Sequence, residues 1–153
     1  MISEAQRAAD QLHRAFYGGA WHGPSVSEVL DGLSADQAQR RPIQQAHSIW
    51  EIVRHMGAWS EIARRRIVGE QFEISITDDW PPVVDVSEES WQSALAQIRE
   101  YEEELERTVS GLADRQLQEI LYQDRTIYIL VHGVVQHNLY HAGQIAILRR
   151  GLS

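Results

Sequence analysis

The chain of 153 residues carries 22 acidic and 14 basic side chains, a formal net charge of −8, and a chain of that length suits one domain with its own buried core. It has no cysteine, which excludes disulfides, iron–sulfur clusters, thiolate zinc sites and a protein-borne thiol nucleophile. All the basic residues are arginine, so lysine Schiff-base chemistry and a Walker-type phosphate lysine are excluded too, and an acidic chain without a basic stripe is a poor match for nucleic acid.

Hydrophobic spacing is helical over most of the chain. Over residues 3–17, Ala5, Ala8, Ala9, Leu12, Ala15 and Phe16 recur at intervals of three and four, the stripe of an amphipathic helix, and Gly18-Gly19 ends it. Gly23-Pro24 marks a turn; short helices over 25–33 and 34–39 follow, the second stopping ahead of Arg41-Pro42. Ser48 and Glu51 fit a capping box that opens a second long helix, whose buried face runs from Ile49 through Ile52, Val53, Met56, Ile62 and Ala63 to Ile67, up to Gly69. Residues 70–86 lose the helical period and hold Asp78-Asp79-Trp80-Pro81-Pro82, so they read as a long surface connection. The alternation from Phe72 to Ile76 predicts a short strand within it.

A third long helix starts at Ser87, with Glu88 and Glu89 at the positive end of its dipole. Trp91, Leu95, Ile98, Leu105, Val109 and Leu112 keep its stripe, interrupted once at Glu102, and the acidic run Glu102–Glu104 reads as a solvated face. Residues 113–125 read as an irregular link. The last helix runs from about Thr126 to Arg150, where Arg149 and Arg150 suit the negative end of the dipole and Gly151 stops it. Four long helices, one long crossover and no repeat predict an all-α fold, a single four-helix-bundle domain over residues 1–153. No apolar run approaches the ~20 residues that span a bilayer, and the first residues lack a signal-peptide core, so the expectation is a cytoplasmic protein without a membrane partner.

The last helix carries His132, His137 and His141. His137 and His141 are four apart, so their imidazoles lie one turn apart on one face and can share a metal ion. His132 lies about 140° around the axis from His137 and is left out. Seven histidines in the chain give roughly 0.3 such pairs by chance, so two helix histidines with ordinary hydrogen bonds explain the spacing equally well. A third ligand would change that balance. His55, on the second long helix among Ile52, Met56 and Trp59, reads either as a satisfied core histidine or as a group reaching across the bundle to the pair. Glu51, one turn earlier, can orient His55 or serve as a base, although its capping role already accounts for it.

His22 lies in the glycine-rich loop Tyr17–Ser25 and is either a binding residue or an exposed turn histidine. Trp50, Trp59 and Trp91 suit a core or an interface, while Trp80 and Trp21 suit a pocket wall. The run Arg64-Arg65-Arg66 is explained by salt pairing with Glu61 or Glu70.

The stretch Ala46-His-Ser-Ile-Trp-Glu-Ile-Val-Arg-His55, followed by His137-Asn-Leu-Tyr-His-Ala-Gly-Gln-Ile145, resembles the DinB-like, YfiT-like superfamily of metal-binding four-helix bundles. Trp21-His-Gly-Pro-Ser25 and Asp79-Trp80-Pro81 resemble one branch of it. The likeness implies a bundle with a long connection between its second and third helices, often a homodimer, and a divalent metal held by three histidines that map to His55, His137 and His141. It also implies a bacterial, stress-linked setting. Members are described as metal-dependent hydrolases, and some relatives are transferases or isomerases that use a low-molecular-weight bacterial thiol.

Three neutral imidazoles leave open positions on the ion for water or substrate, the pattern of a catalytic site. Zinc is the default ion for such a set, and nickel, manganese or iron fit the same ligands. With no cysteine in the chain, any thiol must come from a cosubstrate. The expectation is therefore an enzyme acting on a small molecule, hydrolase or thiol-dependent transferase, with Glu51 and His22 as the candidate assisting groups. The rival is a non-catalytic metal- or small-ligand-binding dimer of the stress response.

Overall fold

The computed structural model describes residues 1–152. Its elements run α1 (Glu4–Phe16), α2 (Val26–Leu30), α3 (Ala35–Gln39), α4 (Ile49–Ile67), α5 (Ile76–Asp79), α6 (Glu88–Ser110), a 3-10 turn (Asp114–Gln118), β1 (Ile120–Tyr122), β2 (Arg125–Thr126) and α7 (Ile127–Arg150). Each α-helix starts on a hydroxyl residue, Ser3, Ser25, Ser34, Ser48, Ser75, Ser87 and Thr126 in turn, whose side chain accepts a backbone N–H of the first turn. This local chemistry places every helix start with the hydrophobic period.

The fold is all-α apart from one small hairpin. Of the four long helices, α4 packs against α6 and α7, and α1 packs against the same two. Their apolar faces form two clusters. One gathers Trp50, Ile52, Val53 and Met56 of α4 with Trp91, Leu95 and Ile98 of α6 and Ile145 and Leu148 of α7. The other gathers Leu12 of α1 with Ala63, Leu105, Val109, Val131 and Val134. Trp91 is fully buried and its indole N–H donates to the carbonyl of Leu33 at 2.7 Å, which ties α6 to the short-helix region.

Three expectations change. No strand forms at Phe72–Ile76. Ser75 instead opens α5 through a reciprocal cap with Asp78, and Phe72 lies under the Arg65 guanidinium, 4.1 Å from ring centre to cation, rather than in a ladder. Within residues 113–125, read as irregular, β1 and β2 pair antiparallel around Gln123 and Asp124, which take φ of 46° and 64°. Two consecutive left-handed residues make the tight turn that matches strand twist; with no glycine there, the sequence hides it. The acidic run is not solvated throughout: Glu102 is 2% exposed. Its place in the stripe of α6, between Ile98 and Leu105, turns it inward.

Trp50 fills the core as expected, whereas Trp21 is fully exposed. Arg64 pairs with Glu61 and Arg65 with Glu70, each at 2.7 Å, as the sequence predicts. Among the described residues, no helix is long and apolar enough to cross a membrane.

Candidate metal centre

The cap at Ser48 starts α4 so that His55 falls two turns inside it, on the side that meets α7. His137 and His141 lie on successive turns of α7. Packing of these two helices brings the three imidazoles together. The Nε2 atoms of His55 and His137 are 2.9 Å apart, and those of His137 and His141 are 3.1 Å apart. His55 and His141 are buried and His137 is half-buried.

The outer nitrogens show which lone pairs face inward. His55 Nδ1 lies 2.6 Å from the backbone oxygen of Asp79, to which it can only donate. His141 Nδ1 lies 2.6 Å from Gln144 Oε1. A proton held on Nδ1 leaves Nε2 as a bare acceptor, the form that ligates a metal. Burial pushes the His55 and His141 imidazoles below the usual histidine range, against the opposing hydrogen bonds from Asp79 and Gln144. His137 is pushed down to about 3, by burial first and then by its two neighbours. All three shifts favour the neutral imidazole.

His137 Nδ1 is buried without a hydrogen-bond partner, so His137 Nε2 either donates a proton to one of the two bare Nε2 atoms or, with its proton on Nδ1, presents a third lone pair to a shared cation. Bonds of ~2.0–2.1 Å from a shared ion set imidazole nitrogens roughly 3 Å apart, so the donor set fits a divalent metal. The three histidines can hold a metal ion.

The connection between α4 and α6 covers this centre. The Trp80 ring lies flat on His55, with centroids 3.9 Å apart and planes at 6°, and His47 stacks on Trp80 at 3.7 Å. Asp79 Oδ1 accepts from the Trp59 indole at 2.7 Å and fastens the connection to α4. Trp80 is thus a wall of the site, as its sequence context suggests. A cavity of about 290 Å³, walled by Ile43, Ile52, Ile147 and Leu148, borders the centre through His47 and Gln144.

The two candidate assisting residues lie elsewhere. Glu51 Oε2 accepts the Ser48 backbone N–H at 2.7 Å and Oε1 pairs with Arg41 at 2.5 Å, so the carboxylate serves the cap and has no hydrogen bond with His55. Burial raises its pKa, but the Ser48 hydrogen bonds and Arg41 outweigh that and hold it low. Its nearest imidazole is that of His47, at 3.6 Å. His22 is exposed on its loop and makes no hydrogen bond with the three histidines.

Sequence reasoning missed Asp79, Gln144 and His47. Gln144 carried a usable signal, since it stands three residues after His141 on the same helical face. The Asp79 contact comes from a backbone carbonyl, which no residue type announces.

A family model for the DinB superfamily matches residues 20–145. No curated protein and no solved structure matches the chain. The matched span contains all three histidines and the connection that covers them, and the chain belongs to the DinB superfamily.

Proposed function

We propose that the protein is a cytoplasmic metal-dependent enzyme acting on a small electrophile, with hydrolysis as the leading reaction and transfer to an external thiol as the second. The convergence of three Nε2 atoms, with the outer nitrogens of His55 and His141 committed to oxygen acceptors, carries this reading. A divalent ion held there, zinc by default, supplies Lewis-acid activation and makes a coordinated water or thiol nucleophilic at neutral pH.

The chain's own groups do the rest. Asp79 and Gln144 hold two of the rings in one tautomer. Trp80 shields His55 from water on one face, which strengthens electrostatic interactions inside the site. The small apolar cavity beside Gln144 suits an uncharged portion of a substrate better than an anionic one.

The test is turnover of ester and electrophile panels by the metal-loaded protein, with and without bacterial low-molecular-weight thiols, beside a His55→Ala variant. Metal-dependent turnover without thiol, lost in the variant, supports hydrolysis. Turnover only with thiol supports transfer. Metal binding with no turnover in either arm favours the rival, a non-catalytic metal-binding protein.

We also propose a homodimer packed through α7. From Ile127 to Leu148 this helix has no charged residue, yet Ile129, Tyr140 and Ile147 face solvent, exposed by 50, 66 and 63%. A helix apolar on every side is ordinarily covered on every side. Ile129, Gly133, Gln136, Tyr140, Gly143 and Ile147 follow a 4-3-4-3-4 spacing, the seam of a helix pair, and nothing fills the space beside the two glycines. A second copy meets that seam with an identical face. Tyr140→Glu is expected to convert a dimer to a monomer by light scattering at micromolar concentration; a wild-type monomer under those conditions rules the seam out.

A further inference from the structure

We propose that Glu102 is a positioning residue for the metal centre: from α6, its carboxyl clasps Ser60 of α4 and Asn138 of α7 and so fixes the spacing of the two helices that carry the three histidines. The proposal rests on the metal-centre reading above.

Glu102 Oε1 lies 2.5 Å from Ser60 Oγ, whose single proton it shares with the Met56 carbonyl at 3.1 Å, and accepts from Asn138 Nδ2 at 3.0 Å. Ser60 and Asn138 are wholly buried. The three residues form a polar layer between the two apolar clusters. On α4, Ser60 separates Met56 from Ala63; on α6, Glu102 separates Ile98 from Leu105; on α7, Asn138 separates Val134 from Ala142. No other buried acidic residue occurs among the described residues.

The layer lies at the ligand turns. Asn138 follows His137 directly and precedes His141 by three residues, and Ser60 follows His55 by five, about one and a half turns. Apolar contacts alone let two helices slide by a fraction of an ångström with little change, because dispersion is not directional. Hydrogen bonds that converge on one carboxyl oxygen in a dry layer are directional and are lost by the same displacement. The spacing between His55 and the His137/His141 pair is what a shared ion reads, and Glu102 restrains it from a third helix. The interruption in the stripe of α6 thereby has a function that an apolar residue could not supply.

The experiment compares zinc affinity, and the absorption spectrum of the cobalt(II)-loaded protein, in wild type, Glu102→Gln, Glu102→Leu and Glu102→Leu/Asn138→Leu. Glutamine keeps the accepting oxygen, so its affinity is expected within about threefold of wild type, with the same cobalt spectrum. Glu102→Leu is expected to lose roughly tenfold or more in zinc affinity and to shift the cobalt bands. The double variant, with Glu102 and Asn138 both apolar and Ser60 still bonded to the Met56 carbonyl, is expected to regain folding stability but not zinc affinity.

A Glu102→Leu protein with wild-type affinity and spectrum overturns the clasp, as does a double variant that regains stability and affinity together. Should Glu102→Leu not fold, Ser60→Ala decides. It removes one of the two bonds and is expected to shift the cobalt bands, and an unchanged spectrum overturns the proposal. Wild type that binds no zinc overturns the metal-centre reading itself, an outcome distinct from equal binding by wild type and Glu102→Leu.

Discussion

Protein in which His137 and His141 are both replaced by alanine is expected to retain no divalent ion, where wild type retains about one per chain. Two of three ligands are lost and His55 alone remains, so affinity should fall by at least about a thousandfold, on the order of 4 kcal/mol. Metal analysis of protein purified without added metal, followed by zinc titration, measures this directly. Circular dichroism should stay helical, because the imidazoles point at one another and not into either apolar cluster.

The pH dependence follows from the same burial. Only a neutral imidazole ligates, and His55, His137 and His141 are all held below the ordinary histidine range. Protons therefore compete with metal only below the ~6.5 at which an exposed histidine titrates. Zinc affinity is expected to fall less between pH 7.5 and pH 6 than three freely titrating histidines would make it fall. A fall of about fourfold per histidine across that interval, the loss of neutral imidazole at a pKa of ~6.5, would show that the rings are solvated and the centre is open. Metal content that survives the double substitution would place the site on other residues.

Particular residues show why some of this was legible in the sequence and some was not. The helices were legible because two independent local signals coincide: a serine or threonine cap and the hydrophobic period behind it, as at Ser48 ahead of Ile49, Ile52 and Val53. His137 and His141 were legible as a pair because four-residue spacing on a helix is itself a distance. His55 was not tied to them by any local rule. Its partnership depends on the packing of α4 on α7, a tertiary fact; the residues alone leave it open between a core histidine and a third ligand, and the resemblance favours the ligand. Trp80 was legible as a pocket wall but not as the cover of His55, because its ring comes from 25 residues away, and Asp79 was legible only as part of a non-helical connection, because what holds His55 is its backbone carbonyl. Glu102 was misread for a different reason. Its charge and its acidic neighbours argued for solvent, while its position in the stripe argued for the core, and position prevailed.

That buried carboxyl makes the last expected result. Burial raises the Glu102 pKa to about 7, against opposing hydrogen bonds from Ser60 and Asn138. The folded state thus binds this proton more tightly than the unfolded state, whose glutamate titrates near 4.5. The stabilisation from the bound proton is complete below pH 4.5 and is lost as pH rises toward 7. Over that window the metal-free protein should lose on the order of 3 kcal/mol through this group. Glu102→Gln carries no proton to lose, so it should match wild type near pH 4.5 and exceed it by that amount at pH 8, a midpoint shift of roughly 6–12 °C. The buried histidines act in the opposite sense, since imidazoles with lowered pKa stabilise the fold above their unfolded pKa and destabilise it as pH falls. The wild-type profile alone therefore mixes two opposed slopes, and the difference between wild type and Glu102→Gln in urea denaturation from pH 4.5 to 8 isolates the carboxyl. Parallel profiles would mean that Glu102 ionises at its ordinary pH, with water reaching the layer between the two clusters. A gain at pH 8 would mean that the wild-type residue costs stability where it sits, as expected of a group kept for the spacing it imposes on α4 and α7 rather than for the strength of the fold.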